Sequence, residues 1–135
     1  MSEQGTAEHM EMPKHGEICW TELSTSDLEA AKSFYSALFG WEYKESDSTE
    51  MEYTEIHLGG EKQFGGMYKK PPEMSEVPSH WMSYISVDDI DDSLQKATEN
   101  GGTVVVPATD IPGTGRFGMI TDPTGATIAM ITLKF

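Results

Sequence analysis

The sequence predicts an α+β fold: two tandem βαβββ modules forming a curved, cleft-containing mixed sheet with the helices outside. Three observations predict it. LSTSDL at 23–28 lines up with ISVDDI at 85–90, an offset of 62 residues, and the same offset lays Phe39-Gly40 on Gly101-Gly102. Each copy reads as a strand, a helix and then three strands. Neither copy alone can bury both its helix and one sheet face, so the two are expected to pack around one cleft.

The elements follow in order. Residues 1–16 are polar, carry Gly5, Pro13 and Gly16, and read as a flexible tail; His9 and His15 there read as solvated residues. Ile18 to Leu23 reads as a strand. Ser26-Asp27-Leu28-Glu29 fits a capping box in which the Ser26 hydroxyl caps the first turn and Glu29 reaches back. Leu28, Ala31, Phe34, Tyr35 and Leu38 recur at helical spacing, and Gly40 ends the helix. Strands are expected near 41–46, 51–58 and 63–69. The second alternates, with Thr54, Ile56 and Leu58 toward the helix and Tyr53, Glu55 and His57 on the other face.

Residues 71–79 are proline-rich and polar and read as a connector between module 1 (about 17–70) and module 2 (about 80–135) of a single domain, 17–135. His80 to Val87 reads as a strand. Asp88 is expected to cap a helix over 89–100 that Asn100-Gly101-Gly102 terminates. Strands follow at 103–106, 116–121 and 126–133. Residues 107–116, PATDIPGTGR, read as a loop at the cleft rim, since no helix follows them to bind an anion. Asp122-Pro123-Thr124-Gly125 reads as a tight hairpin turn.

Composition narrows the function. Nine Lys and Arg stand against 23 Asp and Glu, a formal net charge of -14. Such a surface repels phosphate backbones and anionic lipid, which disfavours nucleic-acid and membrane partners. No segment has the ~18 apolar residues that span a bilayer. Cys19 is the only cysteine. It excludes an intramolecular disulfide and points to a cytoplasmic setting. The N-terminus lacks a basic region followed by an apolar run, so no signal peptide is expected.

The segments DLEAAKSFYSALFGWEY, SVDDIDDSLQKATENGG and MITDPTGATIAMI together resemble the vicinal oxygen chelate superfamily. That group includes glyoxalase I, extradiol dioxygenases and bleomycin-binding proteins. The resemblance covers residues 17–135 and implies small-molecule binding in the cleft and a homodimer. It also implies a divalent metal held by His and Glu side chains on the inner strands. The matching positions here are Trp20, Met82, Ala129 and, in FGGMYKK, Gly66 or Met67. Indole offers no lone pair and thioether suits a hard cation poorly. The expectation is therefore no metal site and no cofactor.

Strand parity assigns the remaining cleft residues. Trp20 and Glu22 share a face, as do His80, Met82 and Tyr84, and as do Phe117, Met119, Thr127 and Ala129. With Tyr53, His57 and Met67, these define an apolar, aromatic wall with a few polar groups, which suits a small-molecule ligand. Trp20 is either a stacking wall or a plug for the vacated metal position. Glu22 is either a general base with a raised pKa or the partner of Arg116 or a histidine. Glu55 and His57 form either an acid/base pair or a solvated strand face. Glu22, His57 and His80 together are the alternative, displaced metal site. Tyr84 either donates to a ligand oxygen or simply packs, and Arg116 either anchors a carboxylate or ties the rim. Cys19 points to the helix side.

Three functions compete, the third being a metal-dependent glyoxalase-like enzyme with unconventional ligands. The first is metal-independent binding of a small aromatic or carbonyl-containing molecule by Trp20, Glu22, Tyr53, His57, Met67, His80, Met82, Tyr84, Phe117 and Met119. The alternative is a glyoxalase-like lyase or isomerase acting on a small carbonyl compound, with Glu22, or Glu55 and His57, as the acid and base.

Overall fold

The structure, a computed structural model, describes residues 12–45, 53–59 and 63–134. Among these residues are eight strands and two α-helices, an α+β fold with both parallel and antiparallel pairing. The chain divides into two compact units, Trp20–Tyr84 and the segments to either side of it. No described helix is long and apolar enough to cross a membrane.

The Trp20–Tyr84 unit contains β1 (Ile18–Thr25), α1 (Leu28–Phe39), β2 (Glu42–Glu45), β3 (Thr54–His57), β4 (Gln63–Lys69) and most of β5 (His80–Ser86). Its strands lie in the order β2-β3-β4-β1-β5. β1 and β4 run parallel, with Glu22 beside Gly66 and Leu23 beside Met67. Of the expected strand 51–58, Thr54–His57 is a strand, and residues 51 and 52 lie outside the described residues, as do His9 and residue 46. One face of this sheet is apolar. Leu23, Ile56 and Met67 close with Leu28 of α1 into a buried cluster, flanked by Ala31, Tyr35, Trp41, Tyr43 and Phe64.

That register corrects one site residue. Met67 was expected on the ligand face. It is fully buried in the helix-side core instead, because parallel partners in register share a face and its partner is Leu23. Leu58, expected toward the helix, lies beyond β3 and is 54% exposed.

The caps also differ from the sequence reading by one residue. Asp27, not Ser26, is the N-cap of α1: its side chain accepts the Ala30 N–H at 3.0 Å. Asp89, not Asp88, caps α2 (Ile90–Glu99) by accepting the Asp92 N–H at 3.1 Å. In both repeats the capping aspartate stands one place after Ser26 or Asp88, and its short carboxylate reaches the exposed N–H groups of the first turn. Gly40 ends α1 at φ 74, a left-handed conformation that glycine adopts without steric cost.

The flanking unit carries α2, β6 (Thr103–Ile111), β7 (Gly115–Thr121) and β8 (Thr127–Leu133), with its strands in the order β8-β7-β6. Its core joins Val87, Ile90, Leu94 and Met130, with Ile85, Ala108 and Ile120 against them. Phe117, Met119 and Ala129 alternate to the face turned away from α2. The expected rim loop is a correction. Residues 107–111 continue β6, pairing Thr109 with Phe117 and Asp110 with Arg116. Pro107 is tolerated because β6 is an edge strand and the register shifts there. The stretch 13–17 is also tied down. Gly16 N–H donates to Ser86 O at 2.7 Å, Ser86 N–H to Glu17 O at 2.8 Å, and Asp88 N–H to His15 Nδ1 at 3.0 Å.

The DPTG turn has a specific cause. One carboxylate oxygen of Asp122 accepts from Thr124 N–H, the Thr124 hydroxyl and Ala126 N–H at 2.7–3.1 Å. These donors hold the Asp122 carboxyl below its usual range. Gly125 then takes φ 99.

The cap assignment is directly testable. Asp27→Ala is expected to cost about 1 kcal/mol and Ser26→Ala less than about 0.5 kcal/mol in urea unfolding followed by circular dichroism. The reverse order would return the cap to Ser26.

Candidate functional site

The face of the Trp20–Tyr84 unit away from α1 carries the site. β1 presents Trp20, Glu22 and Ser24 on this face, and the ladder sets Gly66 beside Glu22 and Tyr68 beside Ser24. β3 sets Glu55 opposite Gly66. Tyr53 precedes β3 with the same parity, and Tyr84 ends the run of β5 residues in this unit.

Four of these side chains form one hydrogen-bonded chain. Trp20 Nε1–H donates to the Tyr53 hydroxyl oxygen at 3.0 Å. Tyr53 O–H donates to Glu22 Oε2 at 2.8 Å, and Tyr84 O–H donates to Glu22 Oε1 at 2.9 Å. The directions are fixed, because indole nitrogen only donates and Tyr53 has a single hydroxyl proton. Each bond polarises the next.

Glu22 is the electrostatic centre. Burial raises its pKa above the ordinary carboxylate value; the hydroxyls of Tyr53 and Tyr84 and the charge of His80 pull it down without cancelling that effect. Burial, and then the charge of Glu22, push both tyrosines well above the usual phenol range. They therefore remain O–H donors at any working pH.

The other expected residues are placed differently. Glu55 and His57 pair with each other, His57 Nε2 lying 3.5 Å from Glu55 Oε1. That nitrogen is buried and makes no hydrogen bond of normal length. His80 Nδ1–H donates to Pro78 O at 2.8 Å. His80 also borders a groove on the helix side with Leu23, Phe34, Tyr35 and Trp81. Met82 is buried at 8% exposure. Arg116 does not serve Glu22. It makes a bidentate pair with Asp91 at 3.0 and 3.1 Å and a third bond to Asp110 at 3.0 Å, fixing β6, β7 and the start of α2. Cys19 is half-buried, and burial raises its thiol pKa.

Sequence reasoning named Gly66 only as an alternative to Met67 at an implied metal position, and it missed Tyr68 as a member of this face. The Gly65-Gly66 doublet inside a strand was the available signal, since glycine there marks close approach of another group. Tyr68 stacks on Tyr53 with ring centroids 6.4 Å apart.

The residues at the implied metal positions do not fit a divalent ion. Trp20 presents an N–H that is already donated to Tyr53, Gly66 has no side chain, Met67 lies in the helix-side core and Ala129 offers a methyl group. Among the described residues no three His, Cys, Asp or Glu side chains gather to hold a metal ion, so Glu22, His57 and His80 do not form the displaced site.

The order of strands and helices defines a protein of the vicinal oxygen chelate fold, and its sequence agrees. The chain belongs to the Glyoxalase/Bleomycin resistance protein/Dioxygenase superfamily, whose sequence model matches residues 17–130. It is 39% identical over 127 residues to CFP32 of Mycobacterium tuberculosis, which is provisionally named a glyoxylase; the match covers 88% of this chain and 48% of that protein. The anthracycline biosynthesis protein DnrV of Streptomyces peucetius is 29% identical over 127 residues, covering 85% of this chain and 46% of its own. The chain thus spans about half the length of these curated relatives. Methylmalonyl-CoA epimerase from Mycobacterium tuberculosis shares the fold at TM-score 0.63 and 16% identity, covering 96% of each chain.

The raised pKa of Glu22 has a stability consequence. A carboxyl whose pKa is higher folded than unfolded holds more protons when folded, so stability falls as pH rises toward the folded value and stays reduced above it. Glu22→Gln removes this penalty. Thermal melts at pH 8 are expected to show the variant a few degrees above the wild type, about 4 °C per kcal/mol regained. The gain should shrink at pH 4, where the wild-type carboxyl is protonated.

Proposed function

We propose that this chain binds a small aromatic or carbonyl-containing molecule on the face of Trp20, Glu22, Tyr53 and Tyr84, without a metal ion. One observation carries the reading: both oxygens of a half-buried carboxylate are held by tyrosine hydroxyls that an incoming ligand oxygen can compete for. When Glu22 is protonated it needs one donor fewer, and a tyrosine O–H is released toward a ligand carbonyl. Trp20 and Tyr53 supply flat apolar surface beside it, the mix of apolar wall and few polar groups that small-molecule sites show. The likeness to a protein named for anthracycline biosynthesis, a class of polycyclic aromatic ketones, supports an aromatic carbonyl ligand.

Binding by this route takes up a proton at Glu22, so affinity should fall as pH rises through the Glu22 titration. The groups acting on Glu22 there are the neutral hydroxyls of Tyr53 and Tyr84 and the charge of His80. Titrating acetophenone and 2-hydroxyacetophenone into labelled protein at pH 5 and pH 8 should move the Trp20 indole resonance, and more at pH 5. If neither compound nor a wider panel of small ketones moves it at millimolar concentration, the reading fails.

The same carboxylate supports a second reading, a glyoxalase-like lyase or isomerase of a small carbonyl compound. Its specific observation is a raised-pKa base beside two tyrosine donors. Ionised Glu22 takes a proton from the carbon next to the carbonyl, the C–H electron pair forms the enolate, and Tyr84 O–H donates to the developing oxyanion. The proton then returns to carbon. Glu55 and His57 would be the alternative acid and base. In deuterium oxide, 2-hydroxyacetophenone should lose its carbon-bound protons faster with the wild type, and Glu22→Gln should slow this at least 100-fold. Unchanged exchange in that variant excludes Glu22 as the base.

The reading extends to setting and assembly. One cysteine in 135 residues favours a cytoplasmic location. The resemblance to a superfamily in which many members of this size pair supports a homodimer, checked by light scattering on purified protein.

A further inference from the structure

Gly66 lies beside Glu22 on one side of its ladder and opposite Glu55 on the other. A Cβ built on it would stand 2.0 Å from the Tyr53 hydroxyl oxygen, 2.3 Å from Cζ and 2.6 Å from Cε2. The ring body is in the way, not only its tip, so a rotation of the hydroxyl would not relieve the overlap. Gly66 does not adopt positive φ, so its backbone conformation is open to any residue. Gly65 next to it differs: a Cβ there would lie 2.5 Å from the backbone oxygen of Thr21. The doublet therefore has two separate roles. Gly65 permits the approach of β1, and Gly66 leaves a slot for a phenol.

The Tyr53 ring is held on its remaining sides. Tyr68 stacks on it at 6.4 Å with the planes 21° apart, Trp20 donates to its oxygen, and its own proton goes to Glu22. Displacing the ring breaks the link from Trp20 to Glu22 and removes one of the two donors on the carboxylate. The β4 position that would carry a coordinating side chain thus holds a tyrosine instead.

We infer that Gly66 is the positioning residue of this face: by omitting a side chain it admits Tyr53 and commits the site to hydrogen-bond recognition of a ligand oxygen. The ligand part rests on the binding reading above; the positioning part stands on the slot geometry alone.

The test is a double-mutant cycle of Gly66→Ala and Tyr53→Ala, read by the Trp20 indole N–H resonance, which Trp20→Phe assigns. Gly66→Ala should move that resonance to where Tyr53→Ala puts it and weaken 2-hydroxyacetophenone binding at least tenfold. The double variant, in which the clash is gone, should fold and melt no lower than Tyr53→Ala. A wild-type indole resonance in Gly66→Ala overturns the inference. So does a double variant that fails to fold, or one in which the two losses add, since either shows that the glycine serves the backbone. If the wild type binds no ketone, the binding reading fails, and the indole shift and melting temperatures still decide the role of Gly66.

Discussion

A carboxylate removed from water has to be answered by donors, and the arrangement around Glu22 follows from that requirement. Burial of an ionised carboxyl without partners costs several kcal/mol, more than one ordinary hydrogen bond returns. The chain meets it with two phenols, one arriving from the start of β3 and one from β5. One of those phenols is itself fixed by an indole from β1. Three strands are thereby tied to one group, each through a side chain with few rotatable bonds. The donors offset part of the desolvation cost and leave Glu22 with a raised pKa.

The glycine doublet is the backbone counterpart of this demand. β1 and β4 run side by side, and the tyrosine that serves Glu22 must cross above β4 to reach it. Only a residue without a side chain leaves that path open. On the opposite face the same strands do conventional work: Leu23, Ile56 and Met67 close on Leu28 and exclude water from the base of the site. The alternation of β1 keeps the two tasks apart, with Leu23 and Glu22 adjacent in sequence and on opposite faces.

Within a superfamily noted for metal centres, this chain has the fold and a different donor set. Tyrosine hydroxyls are donors and weak acceptors, whereas a metal ion needs lone pairs. What converges here are two hydroxyl protons directed at the Glu22 oxygens. The flanking unit contributes rigidity by similar local means. Arg116 forks onto Asp91 and Asp110, and the Asp122 carboxylate gathers three donors inside a five-residue turn.

The sequence by itself determined the order of elements, the repeat, the family and the DPTG turn. These depend on periodicity and on contacts between near neighbours, which the local pattern records. The position of the caps was legible only to within one residue, because Ser26 and Asp27, like Asp88 and Asp89, are both competent caps and the geometry of the first turn chooses between them. Tertiary structure alone decided that Met67 turns to the helix, that 107–111 continues a strand, and that Glu22 meets tyrosines instead of Arg116. Each depends on which strand lies beside which and in what register, and a one-residue change of register exchanges the two faces. For the same reason the role of Gly66 lay outside the sequence: a missing side chain acquires meaning only once the ring that fills its place is known.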